Sequence, residues 1–158
     1  MTFRDVLRDD LPGALAGEPG AIERLLAAIR PFVVHYCRAR IGRVGQSFAA
    51  ADNLAQQVCM AVLTRLPAFP AGGRPFLAFV YAIAADRADQ ASQGGVAGAR
   101  LHGLLSVLPA PQREVVLLRM AVGLTTEETA EATGASPSTV RLTQHRALAK
   151  VRRVLGAG

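Results

Sequence analysis

Residues 125–154, TTEETAEATGASPSTVRLTQHRALAKVRRV, decide the fold because they predict two helices joined by a tight turn. Thr125 and Glu128 form a capping-box pattern, in which each side chain accepts a hydrogen bond from the backbone N–H of the other residue. Gly134 is expected to end the first helix in the left-handed conformation. Ser136 is expected to cap the second helix, with Pro137 at its first position, where a missing N–H is harmless. Together these signals predict a helix-turn-helix.

The second helix of this pair is strongly basic. From Arg141 onward every charged side chain of this helix is a cation, and none is an acid. Because a helix-turn-helix inserts its second helix into the DNA major groove, we predict DNA binding. A basic helix that is simply a solvated surface is the alternative. The residues expected to contact DNA are Ser136, Ser138, Thr139, Arg141, Leu142, His145, Arg146, Lys150 and Arg152.

Position along the helix separates two kinds of contact. Arg141 and His145 lie four residues apart on one face, near the end that enters the groove. Arg141 can donate two hydrogen bonds to guanine O6 and N7, and a phosphate contact is its alternative role. Arg146, Lys150 and Arg152 lie further along the helix and are better placed for phosphates.

Composition limits the class of protein. The chain has 158 residues, is 51% hydrophobic, and carries a net charge of +6, which favours a polyanionic partner. No catalytic motif and no metal-ligand spacing is visible, so we predict a non-enzymatic protein with no cofactor and no metal. Cys37 and Cys59 are expected to be reduced. The lack of a leader pattern and of a long apolar run predicts a cytoplasmic protein without membrane insertion.

Hydrophobic periodicity predicts an all-α fold of two small helical bundles. The first bundle is expected over residues 14–92, with helices at 19–29, from Pro31 to about 42, from an N-cap at Asp52 to 66, and from Pro75 to 92. The Gly-rich residues 93–100 are the predicted linker. The second bundle, over residues 101–158, contains the helix-turn-helix. Its expected core is Val122, Leu124, Ala130, Val140, Leu148, Val151 and Leu155.

Two regions of the chain resemble bacterial sigma factors. Residues 108–153, LPAPQREVVLLRMAVGLTTEETAEATGASPSTVRLTQHRALAKVRR, resemble the fourth conserved region of that family. The segments AIRPFVVHYCRARIG, DNLAQQVCMAVLTRLPAF and RPFLAFVYAIAADRADQ resemble the second conserved region. Their order and short joint are similar to the extracytoplasmic-function (ECF) group. The resemblance implies that the first bundle binds core RNA polymerase, while the last helix reads an upstream promoter element.

The resemblance places the polymerase-binding surface on the helix that contains Asp52, Asn53, Gln56 and Gln57. Family members usually carry two or three acids at its start, whereas this chain has one acid followed by amides. Neutral amides attract a basic partner less than carboxylates do, so we expect weaker core binding than is typical. Asp52 also has the alternative role of a helix cap.

The resemblance also implies promoter melting by the helix that follows residue 75, where Phe79, Tyr81 and Arg87 are the candidates. Family members carry several cations and aromatic residues here, whereas Arg87 stands between Asp86 and Asp89. An acidic face attracts DNA phosphates less strongly. Phe79 has a core position as its alternative role, and the role of Tyr81 is open.

The leading hypothesis is an ECF-type sigma factor that directs core polymerase to specific promoters, with an anti-sigma protein as a further possible partner. The alternative is a sigma-like adaptor that binds a partner protein or upstream DNA and does not initiate transcription alone. A helix-turn-helix repressor or activator, with the first bundle as a dimerisation domain, ranks third because the first bundle shows no heptad seam.

Overall fold

The computed structural model describes residues 3–69, 73–93 and 105–156, and within these ranges every regular element is helical. This confirms the predicted all-α fold. None of the described helices is both long and apolar enough to cross a membrane. The helices are α1 (Phe3–Leu15), α2 (Pro19–Ile41), α3 (Ala49–Arg65, followed by the 3-10 turn Leu66–Ala68), α4 (Phe76–Gln93), α5 (Ala110–Val116, continued by the π-helical segment Leu117–Val122), α6 (Thr126–Thr133) and α7 (Pro137–Gly156).

The first bundle is formed by α1 to α4 around α2. Leu25, Ile29 and Val33 recur at intervals of four residues on α2 and are completely or almost completely buried. Val58 on α3 and Val80 on α4 are completely buried in the same core. The apolar faces of three helices therefore meet in one continuous core.

Helix α2 passes through Pro31, so the prediction of a new helix at this residue was wrong. An interior proline removes one hydrogen bond and crowds the preceding turn, which costs about 3 kcal/mol. Ile29, Phe32 and Val33 flank it and are nearly or fully buried. Burial of each such side chain contributes about 1.5–3 kcal/mol, so their packing outweighs the proline penalty.

Helix α3 begins at Ala49, so the prediction of Asp52 as its N-cap was also wrong. Asp52 lies in the first turn, where its two carboxylate oxygens accept hydrogen bonds from Arg38 Nε at 2.8 Å and Nη2 at 2.9 Å. The Ser47 hydroxyl accepts the Ala49 N–H at 3.0 Å instead. The partner that Asp52 meets is on α2, which local sequence does not reveal.

Helix α1 has no counterpart among the predicted helices. Its sequence, FRDVLRDDLPGAL, carries Phe3, Leu7 and Leu11 at intervals of four residues, an amphipathic pattern that the prediction missed among the charges. Leu7 and Ala14 are buried against the rest of the first bundle. Packing of this apolar side on α2 therefore stabilises α1.

The second bundle contains the predicted helix-turn-helix, and each of its local signals is confirmed. The Thr125 hydroxyl accepts from Glu128 N at 3.0 Å, and the Glu128 carboxylate accepts from Thr125 N at 2.8 Å. Gly134 is left-handed, with φ of 78°. The Ser136 hydroxyl accepts from Thr139 N at 3.1 Å. Helix α7 therefore begins at Pro137, as predicted.

The core of the second bundle differs from the prediction at one end. Val140 is completely buried against Val115 and Ala130, whereas Leu155 is 60% exposed. The prediction of Leu155 as a core residue was wrong because, among the described elements, nothing covers the last turn of α7. Helix α7 is instead anchored further back, through Ala147.

The two bundles pack against each other. Leu118, Leu124 and Ala132 of the second bundle are buried in the core of the first. The π-helical segment lies against α2, and α6 lies against α4. The predicted linker 93–100 lies outside the described residues, apart from Gln93 at the end of α4.

Candidate functional site

The first candidate surface is the outward face of α7. Val140 and Ala147 define its inward face, because both are completely buried. At about 100° per residue, the opposite face carries Ser138, Arg141, Leu142, His145 and Arg152. Of the predicted DNA contacts, Lys150 is half-buried and the others are exposed. The exposed residues are Ser136, Ser138, Thr139, Arg141, Leu142, His145, Arg146 and Arg152.

Two contacts orient the helix-turn-helix around this surface. Arg141 Nη2 lies 3.8 Å from Glu127 Oε1 on α6, with 62% and 52% of the two side chains exposed. Arg119 Nε donates to Gln144 Oε1 at 3.1 Å, and its Nη1 donates to the Leu124 carbonyl oxygen. Gln144 therefore faces the protein. The positioning role of Arg119 was not predicted, because its partners are Leu124 in the following loop and Gln144 on α7, 25 residues away.

The second candidate surface is an open groove of about 700 Å³ along α3 and the end of α4, which we call the α3–α4 groove. Met60 is 60% exposed in it, an apolar feature that the sequence motif did not single out. Arg65 and Arg87 lie at the groove, and neither forms an ion pair with another described residue. The groove is lined by Asn53, Gln56, Gln57, Met60, Ala61, Thr64, Arg65 and Arg87.

The structure separates Asp52 from the other predicted polymerase contacts. Asn53, Gln56 and Gln57 line the α3–α4 groove, whereas Asp52 pairs with Arg38 and is not among the groove residues. The hydrogen bonds from Arg38 lower the pKa of the Asp52 carboxyl. The one acid that the motif retains is therefore ionised and paired with Arg38 at the surface.

The three predicted melting residues lie in different surroundings. The Phe79 ring packs at 5.0 Å from the Phe69 ring and 5.7 Å from the Phe76 ring. The Tyr81 hydroxyl donates to Glu114 Oε1 at 2.8 Å. Arg87 lies in the α3–α4 groove. The structure does not bring these three side chains together.

A buried polar cluster joins the two bundles, and sequence reasoning did not predict it. Glu114 on α5 accepts hydrogen bonds from Tyr36 on α2 and Tyr81 on α4, and Arg40 lies beside them. Burial raises the pKa of both tyrosines, and the neighbouring Glu114 carboxylate adds to the effect. Burial alone lowers the pKa of Arg40, but the surrounding oxygens raise it on balance. The hydroxyls and the guanidinium are therefore donors at neutral pH.

These surfaces define the class of protein: an all-helical protein with a helix-turn-helix whose final helix presents a basic face of the kind that fits duplex DNA. The family model "Sigma-70, region 4" matches residues 98–151. SigD of Mycobacterium tuberculosis H37Rv, an ECF RNA polymerase sigma factor, is 41% identical over 92% of this chain and 82% of its own length. The ECF sigma factor ShbA of Streptomyces griseus is 39% identical over 88% of this chain and 90% of its own.

The fold agrees with these sequence relationships. The structure of CnrH in complex with the cytosolic domain of CnrY matches 96% of this chain and 98% of the CnrH chain, with a TM-score of 0.73 and 25% identity. The chain belongs to the ECF RNA polymerase sigma factors.

Proposed function

We propose that this chain binds core RNA polymerase and directs it to specific promoters, as an ECF-type sigma factor in the cytoplasm. One observation carries the proposal. This chain, a member of the family, has two separate exposed surfaces: α7 presents a basic face that fits duplex DNA, and the α3–α4 groove is available to a protein. The two functional units are the bundles predicted over residues 14–92 and 101–158, with all of α1 added to the first. Neither surface requires a catalytic group, so the proposed activity is non-enzymatic.

Helix α7 reads the upstream promoter element in this proposal. Arg141 projects from the exposed face and donates to guanine, and Leu142 is placed to contact a thymine methyl group. Ser138, Thr139 and His145 supply further polar contacts near the start of the helix. Phosphates are bound by Ser136, Arg146, Lys150 and Arg152, which position the helix without reading sequence.

The α3–α4 groove contacts core polymerase through Asn53, Gln56 and Gln57, with Met60 as an apolar anchor. Asp52 lies beside this surface, but its charge is already matched by Arg38. The attraction to a basic partner is therefore weaker than a cluster of free carboxylates would give. We expect affinity for core that depends on hydrogen bonds and apolar contact rather than on charge.

Promoter melting is assigned to Phe79, Tyr81 and Arg87. Tyr81 is the candidate for stacking on an unpaired base, because it is aromatic and partly exposed. Its hydroxyl is bound to Glu114 in the free protein.

An anti-sigma protein that spans both bundles is the proposed regulatory partner; the CnrH structure likewise contains a second protein, CnrY.

Run-off transcription tests the proposal. The protein is mixed with purified core polymerase and a library of genomic fragments, and transcripts are sequenced. We expect start sites that share an upstream element and that disappear without the protein. A folded protein that neither comigrates with core on gel filtration nor yields transcripts would refute the proposal.

A sigma-like adaptor is the second candidate. It is favoured by the ion pair between Asp52 and Arg38 and by the hydrogen bond from Tyr81 to Glu114. It predicts comigration with core, or binding to upstream DNA, without transcripts from any fragment. The same experiment therefore separates the two functions.

A further inference from the structure

The buried polar cluster between the bundles is formed by Tyr36, Arg40, Tyr81 and Glu114, and the exposed Asp89 pairs with Arg40 at its edge. We propose that it is a latch, which holds the second bundle closed over α4 in the free protein and must release before promoter melting. The role of the latch in transcription rests on the proposed function. The closed state itself is tested independently below.

Glu114 is the centre of the latch. Its Oε1 accepts from the Tyr36 hydroxyl, from the Tyr81 hydroxyl at 2.8 Å, and from Arg40 Nη1 at 3.4 Å. Arg40 Nη1 also donates to the Tyr36 hydroxyl at 2.7 Å, and its Nη2 pairs with Asp89. The Arg40 side chain is only 6% exposed. One carboxylate of the second bundle thus satisfies three donors of the first.

The chemistry of the latch suits a contact that can open. A buried carboxylate without partners is strongly destabilising, so the closed arrangement is possible only because it supplies Glu114 with donors. Once the bundles separate, however, Glu114 and Arg40 return to water and lose nothing that water cannot replace. Buried ion pairs contribute less net stability than apolar packing of the same volume. The latch is the polar part of the contact between the bundles, whose apolar part buries Leu118, Leu124 and Ala132 in the core of the first bundle.

The closed geometry engages Tyr81, a residue that the proposed function needs. Helix α6, the first helix of the helix-turn-helix, packs against α4, which carries Phe79 and Tyr81. Glu114 occupies the Tyr81 hydroxyl. While this hydrogen bond is held, Tyr81 cannot turn towards an unpaired base, and α7 cannot move independently of α4 until α6 leaves.

Helix α1 adds a second, exposed brace. It packs along α2, and Arg4 at its start forms an ion pair with Glu131 on α6. Nearly half of the Arg4 side chain is exposed, so this pair is weak and sensitive to salt. The brace therefore assists the buried latch and cannot replace it.

Small-angle X-ray scattering of the free protein tests the latch. A compact chain of this length has a radius of gyration of about 15 Å, and separated bundles have a larger one. We expect Glu114→Gln to raise the radius of gyration while far-UV circular dichroism keeps its helical signal. Glu23→Gln on α2, an exposed site with the same change, is the matched control and should remain compact. A helical Glu114→Gln protein that stays as compact as the control would overturn the latch.

A reversible crosslink tests the functional consequence and does not depend on Glu114→Gln folding. Arg4→Cys and Glu131→Cys, in a Cys59→Ala background, are joined by a reducible bis-maleimide, because the two residues already meet through their side chains. Cys37 is completely buried. We expect at least a tenfold loss of promoter opening by the crosslinked holoenzyme and recovery on reduction, with the single-cysteine proteins unaffected. Equal opening before and after reduction would overturn the proposal.

The two arms separate failure of the latch from failure of the proposed function. If the reduced protein never supports transcription, the proposed function fails, while the scattering experiment still decides whether Glu114 holds the bundles together. If the protein transcribes but Glu114→Gln stays compact, only the latch fails.

Discussion

Replacement of Arg141 by alanine tests whether α7 reads a base or only holds a phosphate. Arg141 projects from the exposed face of α7, opposite the buried Val140 and Ala147. Its nearest acid is Glu127, at 3.8 Å, and 62% of the Arg141 side chain is exposed. The guanidinium is therefore free to leave Glu127 when DNA arrives.

The structure sets the size of the expected effects. A bidentate contact with guanine contributes about 1–3 kcal/mol of discrimination, which corresponds to a loss of about 5- to 160-fold in affinity at 25 °C. The ion pair with Glu127 is exposed, and exposed pairs contribute about 0–1 kcal/mol. We therefore expect a large loss of DNA affinity and a change below about 0.5 kcal/mol in the free energy of unfolding.

The assay is titration of a fluorescent promoter duplex with the holoenzyme at several salt concentrations. The duplex carries the upstream element obtained by selection, and further duplexes replace each guanine in turn. Arg30→Ala on α2 is the control, because it removes the same charge from an exposed position outside α7. We expect Arg141→Ala to lose affinity for the selected duplex and to tolerate one guanine replacement that weakens the unmodified protein.

A different outcome would refute base reading by Arg141. If Arg141→Ala weakens every duplex equally and the slope of log affinity against log salt falls by about 0.9, then Arg141 binds a phosphate. If affinity does not change at all, Arg141 lies outside the DNA interface.

Three further predictions follow from local geometry. Thr125→Ala removes one half of the capping box and should lower the free energy of unfolding by about 1 kcal/mol in guanidinium titration, so an unchanged midpoint would contradict the role of the cap. Asn53→Asp with Gln57→Glu should tighten binding to core polymerase in a competition assay. Unchanged affinity would show that the missing negative charge of the α3–α4 groove does not weaken this binding. Burial raises the pKa of the Cys37 thiol to about 12, so the stability that this thiol contributes is present below pH 9 and is lost as the pH rises towards 12. The free energy of unfolding should therefore decrease less between pH 8 and pH 10.5 in Cys37→Ala than in the unmodified protein. Equal decreases would show that Cys37 does not contribute.

The sequence predicted those elements whose boundaries depend on near neighbours. The capping box of Thr125 and Glu128, the left-handed Gly134 and the Ser136 cap each involve residues within four positions. Such interactions need no tertiary partner, so their residue pattern suffices. The basic face of α7 follows equally from helical geometry once the helix is placed.

The prediction was wrong where a distant partner outweighs the local signal. Pro31 would end an isolated helix, but the buried side chains around it keep α2 continuous. Asp52 has the sequence position of a cap, but Arg38 on α2 binds its carboxylate. Leu155 continues the apolar pattern of α7, but it is exposed because none of the described elements reaches the last turn of this helix.

The sequence by itself determined that this chain is helical, that it ends in a basic helix-turn-helix, and that it resembles ECF sigma factors, because short-range backbone chemistry and periodicity encode these features. Only the tertiary structure decided how the halves meet. Tyr36 and Glu114 are 78 residues apart and Tyr81 and Glu114 are 33 apart, yet their side chains share one carboxylate oxygen. Contacts over such separations depend on the packing of whole helices, which no local pattern specifies.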